Sequence, residues 1–228
     1  MLYVDYQNSL DTDVGAIFGF ARPNHNFAFG NFFRNPEEMI LTKIKDYGEE
    51  PIFSTRFVRD FISWIDIGTP DLSQNKETPV NITNIPDFFW SMKMEGVRFG
   101  SRDENAWTFG QMEEGAERNG GIYTIFDTGA SDIYLSILWF ESFVEQLYAA
   151  TGIVYEINEG VASSACEANF PDLYFLLDKY WMQVRPADYL REVGSSNICE
   201  LKIKPIDAGF NILGMPAHIG YYISHDWD

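Results

Sequence analysis

Positive charge is what this chain has least of. It carries 16 Lys and Arg residues against 34 Asp and Glu, a formal net charge of −18 over 228 residues. Nucleic-acid binding needs a basic surface that neutralises phosphates, and this deficit excludes it. An anionic membrane surface is disfavoured on the same ground. Only 2 cysteines are present, too few for a zinc site or a redox motif. By themselves Cys166 and Cys199 are either one disulfide or two buried thiols. The 3 histidines, His25, His218 and His225, have no metal-ligand spacing, so surface or packing roles are expected and no metal or cofactor is implied. No apolar run reaches the length of a membrane span. Residues 1–30 lack the basic start and apolar run of a signal peptide, and there is no low-complexity linker.

What the chain does have is apolar and aromatic material, 46% and 16% of residues. That is enough for a sizeable core and one or two domains. It comes in short runs broken by Gly, Pro, Asn and Asp, the pattern of a β-rich fold. Strands are expected over Pro51–Phe57, Phe61–Ile67 and Phe88–Phe99, with Trp90, Met92 and Met94 as core positions alternating against Ser91 and Lys93. Gly68-Thr69-Pro70-Asp71 reads as a turn. Leu173–Leu177 and Tyr180–Val184 form a hairpin around Asp178-Lys179. The segment from Ile212 to Ile223 is strand-like with a bend.

Two helices interrupt the strands. Asn35-Pro36-Glu37-Glu38 is an N-cap, a proline at the first helical position and acids in the first turn; Ile40 and Ile44 share a face and Gly48 ends the helix. Trp139–Ala150 carries the apolar stripe Phe140, Phe143, Val144 and Leu147, stopped by Gly152. With no regular strand–helix–strand alternation, the fold class is all-β with a few short helices. Glu113, Glu114 and Glu117 read as a solvated loop.

The chemistry concentrates in Ile125-Phe126-Asp127-Thr128-Gly129-Ala130-Ser131. Two apolar residues lead into Asp-Thr-Gly, which places a carboxylate where a strand ends in a tight turn. Gly129 lets the backbone approach that carboxylate, and Thr128 can hydrogen-bond nearby. Such a turn holds an aspartate rigidly beside water. An apolar-apolar-Gly element occurs twice, at Ile17-Phe18-Gly19 and Ile212-Leu213-Gly214.

In order along the chain, these residues resemble the two-lobed, pepsin-like aspartic proteases. Phe126-Asp127-Thr128-Gly129 is similar to the second of that family's two catalytic motifs. Gly15–Phe20 and Ile212–Gly214 resemble the strands that complete each lobe's active-site loop. Phe170-Pro171-Asp172-Leu173-Tyr174-Phe175 and Pro186-Ala187-Asp188-Tyr189-Leu190 resemble its Pro-Asp hairpin and Pro-x-x-Tyr tail.

The resemblance implies a pepsin-like acid protease fold, with residues 1–57 as the end of a first lobe and 58–228 as most of a second. Asp127 would be catalytic, with Thr128, Gly129, Ala130 and Ser131 against the substrate, and Cys166 and Cys199 would form the second-lobe disulfide. Asn81-Ile82-Thr83 reads as a glycosylation acceptor, with an unused sequon as the alternative. Protein or peptide substrates, a monomer when complete, and a secreted or lysosomal/vacuolar location are expected. Asp127 lies about 85 residues before Ile212, and the same spacing counted back from Ile17 ends about 70 residues before Met1. The partner aspartate is therefore expected outside this sequence; Asp11-Thr12-Asp13 lacks the glycine. Ala130 replaces a customary hydroxyl residue, and Met215-Pro216-Ala217-His218 replaces the family's acid and aromatic. The alternative is a non-catalytic relative that binds or inhibits with the same fold; a third arrangement pairs Asp127 from two copies.

Overall fold

The computed structural model describes residues 40–59, 62–75, 77–85, 89–100, 106–108, 122–154, 156–158, 161–195 and 197–227. The expectations for Asp11–Asp13, Gly15–Phe20, His25, Asn35–Glu38, Phe61, Phe88 and Glu113–Glu117 lie outside them. The elements in chain order are α1 (Ile40–Asp46), β1 (Ile52–Arg56), β2 (Trp64–Ile67), β3 (Ser91–Phe99), β4 (Ala106–Thr108), β5 (Ile122–Phe126), β6 (Ile133–Ser136), α2 (Ile137–Thr151), β7 (Glu156–Asn158), β8 (Val161–Ala165), β9 (Leu173–Leu177), β10 (Tyr180–Val184), α3 (Pro186–Tyr189), β11 (Leu190–Glu192), β12 (Ile198–Leu201), β13 (Ile203–Ile206), β14 (Asn211–Leu213), α4 (Met215–His218) and β15 (Tyr222–Asp226). The fold is mostly β with a few short helices, as the patterning implies.

Two compact units are formed. In one, β15, β1 and β2 make a three-stranded antiparallel sheet. On one face of it Phe53 stacks on His225 at 4.6 Å between ring centres, and both rings meet Trp90. His225 is thus a packed core histidine. In α1 the buried residue is Leu41, while Ile40 and Ile44 are half-buried. Gly48 ends the helix at φ +82°, a left-handed turn that glycine adopts without a side-chain clash.

The larger unit, Thr78–Ile85 and Ser91–Gly220, holds the other two sheets found among the described residues. The main sheet runs β10-β9-β3-β5-β14-β6-β13, with β4 beside β3; the second runs β11-β12-β8-β7. In β9 Leu173, Phe175 and Leu177 are buried and alternate with half-buried Tyr174 and Leu176, as a strand covered on one face requires. The alternation in β3 shifts after Met94. A bulge at Glu95 changes the register against β9, so Met92 and Met94 are followed inward by Val97 and Phe99. The buried stripe of α2 is the expected Phe140, Phe143, Val144 and Leu147. The helix packs on β6 and β13, with Phe143 against Phe99 at 5.5 Å. Gly152, at φ +73°, caps it by donating to the Tyr148 carbonyl.

The segment after Gly214 departs from the strand-like expectation. Pro216 sits in the first turn of α4, where its missing N–H costs nothing, so the chain makes one helical turn before β15. The Pro-x-x-Tyr tail is likewise a helical turn, α3, with Pro186 at its start.

Candidate active site

The turn that carries Asp127 is built from three strands. β5 ends at Phe126 and β6 begins at Ile133. Between them lies β14, parallel to β5 through Ile125↔Ile212 and Phe126↔Leu213, and antiparallel to β6 at Ile212↔Tyr134. The chain from 127 to 132 therefore crosses over the end of β14. The Asp127 N–H donates to the Leu213 carbonyl (3.1 Å), and the Ala130 N–H closes the turn on the Asp127 carbonyl (3.2 Å). On the far arm the Ala130 carbonyl accepts from the Met215 N–H (2.8 Å), and the Ile133 N–H donates to the Lys202 carbonyl (2.9 Å).

Two glycines make this crossing possible. The Gly129 N–H donates to Asp127 Oδ1 at 2.8 Å; a Cβ at Gly129 would stand only 3.1 Å from that oxygen. At Gly214 a Cβ would lie 2.5 Å from the Ala130 carbonyl oxygen and would also overlap that of Asp132. Asp127, Thr128, Gly129 and Ser131 are exposed and Ala130 is half-buried. The Asp127 carboxylate thus sits at the surface on a turn pinned at both ends.

Beneath the turn are buried polar groups. His218 is fully buried. Its Nε2 lies 3.1 Å from the Leu213 carbonyl. A carbonyl oxygen only accepts, so Nε2 carries the proton. The same carbonyl takes the Asp127 N–H. The imidazole meets Phe126 edge-on at 5.3 Å. Burial pushes its pKa down to about 4, against the opposing pull of the Leu213 carbonyl and the Asp127 carboxylate. Asn211 is buried and its Oδ1 accepts from the Ser136 N–H at 2.8 Å, tying β14 to the start of α2. Asp132, 3% exposed, pairs with Lys204 of β13, Nζ to Oδ2 at 2.7 Å. Ser131 Oγ also reaches Asp132 Oδ2, at 3.3 Å.

Cys166 and Cys199 are joined, with Cα atoms 4.9 Å apart. They belong to the β11-β12-β8-β7 sheet and its flank, a different sheet from the one bearing Asp127. Asn81 is exposed and lies outside any helix or strand. Asp132 and Lys204 had no place in the sequence-based expectations, and for His218 a surface and a packing role had both stood open. One signal was available: Asp132 is a lone acid opening the apolar run Ile133-Tyr134-Leu135, of which Ile133 and Leu135 are fully buried.

The site is thus a surface carboxylate at the end of a strand, held by one backbone donor on a turn that crosses the end of β14. The family model for eukaryotic aspartyl proteases matches residues 15–228. This chain belongs to that family, and its β-rich architecture with few short helices is of the pepsin-like kind. No curated protein matches the chain.

Proposed function

We propose that this chain serves an aspartic endopeptidase, with Asp127 as one of two catalytic carboxylates. The observation that carries the reading is the turn itself. Asp127 is exposed, its Oδ1 takes the Gly129 N–H, and its backbone is tied to Leu213. Two such carboxylates brought face to face share one proton, because like charges that close cannot both ionise. The ionised one takes a proton from a bound water as that water attacks the peptide carbonyl. The protonated one donates to the developing oxyanion. Asp127 supplies one of these roles; a second aspartate must supply the other. Thr128, Gly129, Ala130 and Ser131 flank the carboxylate and are proposed to line the substrate.

The test is cleavage of an unfolded protein at acid pH by the whole protein, with and without Asp127→Asn. The asparagine keeps an oxygen for the Gly129 N–H, so the circular dichroism spectrum should not change. Activity should fall at least about a hundredfold. Undiminished cleavage by the variant would remove Asp127 from the mechanism.

A second reading, a non-catalytic peptide-binding or inhibitory relative, is favoured by Met215-Pro216-Ala217-His218 after Ile-Leu-Gly and by the single Asp-Thr-Gly. Peptide binding without turnover in the same assay would select it. The disulfide supports a location on the secretory route, secreted or lysosomal/vacuolar. There Asn81, exposed, is the proposed glycan acceptor. Loss of an endoglycosidase-sensitive mobility shift in Asn81→Gln would bear this out; an identical mobility of the two proteins, treated or not, would refute it.

A further inference from the structure

The Lys204–Asp132 pair has no part in the chemistry above, yet it lies at the foot of the Asp127 turn. Its carboxylate is withdrawn from water and the lysine side chain is 28% exposed. Replacing a largely buried charge pair by apolar side chains of similar size is often neutral or stabilising. A stable fold alone does not call for it. What an ion pair adds is direction: Lys204 can meet Asp132 only when β13 and the end of the turn are in register.

The surrounding contacts are consistent with that role. Lys204 lies directly opposite Tyr134 in the parallel β13–β6 ladder, and the Ile133 N–H is bonded to the Lys202 carbonyl. The Asp132 carbonyl is one of the two oxygens against which Gly214 packs, and Asp132 Oδ2 draws in the Ser131 hydroxyl. Arg191, paired with Glu200 on the neighbouring sheet, adds to the positive potential that Asp132 faces. The side-chain link from Lys204 thus runs through Asp132 into the arm of the turn opposite Asp127, beside the backbone pairing of β13 with β6. The near arm is fixed by Leu213 and by the Gly129 N–H.

We infer that Lys204 and Asp132 are positioning residues for Asp127: their ion pair, with the carboxylate buried and the lysine half-buried, sets the far arm of the catalytic turn and so the direction in which the Asp127 carboxylate points. This rests on the aspartic peptidase reading only for its kinetic consequence; the ordering of the turn does not depend on it.

Three variants test the inference: Lys204→Met, Lys204→Arg, and the double replacement Asp132→Leu with Lys204→Met. Amide hydrogen exchange is followed at Asp127, Gly129, Ala130 and Ile133, with the β9–β10 hairpin as internal reference. The double variant should keep the wild-type melting temperature or exceed it, because apolar residues replace the pair. Exchange in the turn should nevertheless quicken at least tenfold while the hairpin is unchanged. In the active protein kcat should fall at least tenfold with KM within twofold. Lys204→Arg, which retains the charge and the reach, should restore both. Lys204→Met alone leaves a buried carboxylate unpaired and should lose melting temperature as well as turn protection. The inference is overturned if the double variant protects the turn amides as the wild type does, or if kcat holds within twofold. Should the wild type cleave nothing, the peptidase reading fails and the exchange measurement still decides this one.

Discussion

Replacing His218 by leucine, a side chain of similar volume, should flatten the acid dependence of stability by a calculable amount. The imidazole is fully buried, and burial lowers its pKa from 6.5 to about 4. Above pH 6.5 the residue is neutral in the folded and the unfolded chain, and contributes no slope. Between pH 6.5 and 4 the unfolded chain takes up a proton that the folded chain refuses. Folding is then disfavoured by about 1.4 kcal/mol per pH unit. The full loss, about 3 kcal/mol, is reached once pH falls below the folded value of about 4. Carboxylates impose their own acid slope, but it is common to wild type and variant and cancels in the difference. Nor does the leucine orphan an acceptor, since the Leu213 carbonyl keeps the Asp127 N–H. At pH 7 the change should therefore cost only about 1 kcal/mol for the lost imidazole bond. Urea unfolding at pH 7, 5.5 and 4 gives the stability difference between the two proteins. It should move by about 3 kcal/mol in favour of the leucine variant from the first pH to the last. A difference constant to within about 0.5 kcal/mol would mean that the imidazole titrates in the folded protein as it does in water, and the reasoning would fail.

Two further changes probe the same unit. Gly214→Ala puts a methyl group onto the Ala130 and Asp132 carbonyl oxygens. Both are backbone atoms that cannot swing away, so thermal melts should show a loss of about 3 kcal/mol or more; a melt unchanged by the alanine would mean that β14 does not cross the turn so closely. Opening the Cys166–Cys199 bridge by paired serine substitution releases a loop spanning 33 residues. Chain entropy puts the cost at about 3–4 kcal/mol, measurable as a lower urea midpoint, and a midpoint shared by the oxidised and serine forms would refute it.

The elements that declared themselves in the sequence are those governed by neighbours a few residues away. The stripe on α2 recurs at helical spacing and Gly152 follows it, so helix and stop were both readable. Asp178-Lys179 marks a hairpin because Asp178 takes φ +56° and aspartate tolerates that turn. The strand end at Phe126 and the tight turn after it were readable because aspartate and glycine are spaced for one side-chain-to-backbone bond. Partnerships across the sheet left little trace. Nothing local announces that β14 enters between β5 and β6, or that Asp132 and Lys204 will meet. A charged residue in one sequence is most often a solvated one, and only the parallel β13–β6 register overrides that expectation here. α4 was too short for periodicity to reveal it; its one cue was Pro216 soon after a glycine. His218 was open to a surface or a packing role because its significance is its place beside Phe126 and Leu213, which no spacing encodes.

The repeated apolar-apolar-Gly element acquires a physical meaning from this geometry. Ile212 and Leu213 pair β14 to β5, and Gly214 must then pass between two carbonyl oxygens of the turn. Any residue with a Cβ at that point would push the far arm away, and Asp127 with it. The glycine is thus a steric condition on the aspartate's placement, although the two are far apart in sequence. Ile17-Phe18-Gly19 repeats the element within the family match and lies outside the described residues. On the same steric argument, a glycine after two apolar strand residues is what a second turn of this kind would need to close upon. The sequence carries this apolar-apolar-Gly element twice and Asp-Thr-Gly once, and in the described residues the one Asp-Thr-Gly turn closes on Gly214, whose missing side chain leaves room for the Ala130 and Asp132 carbonyl oxygens.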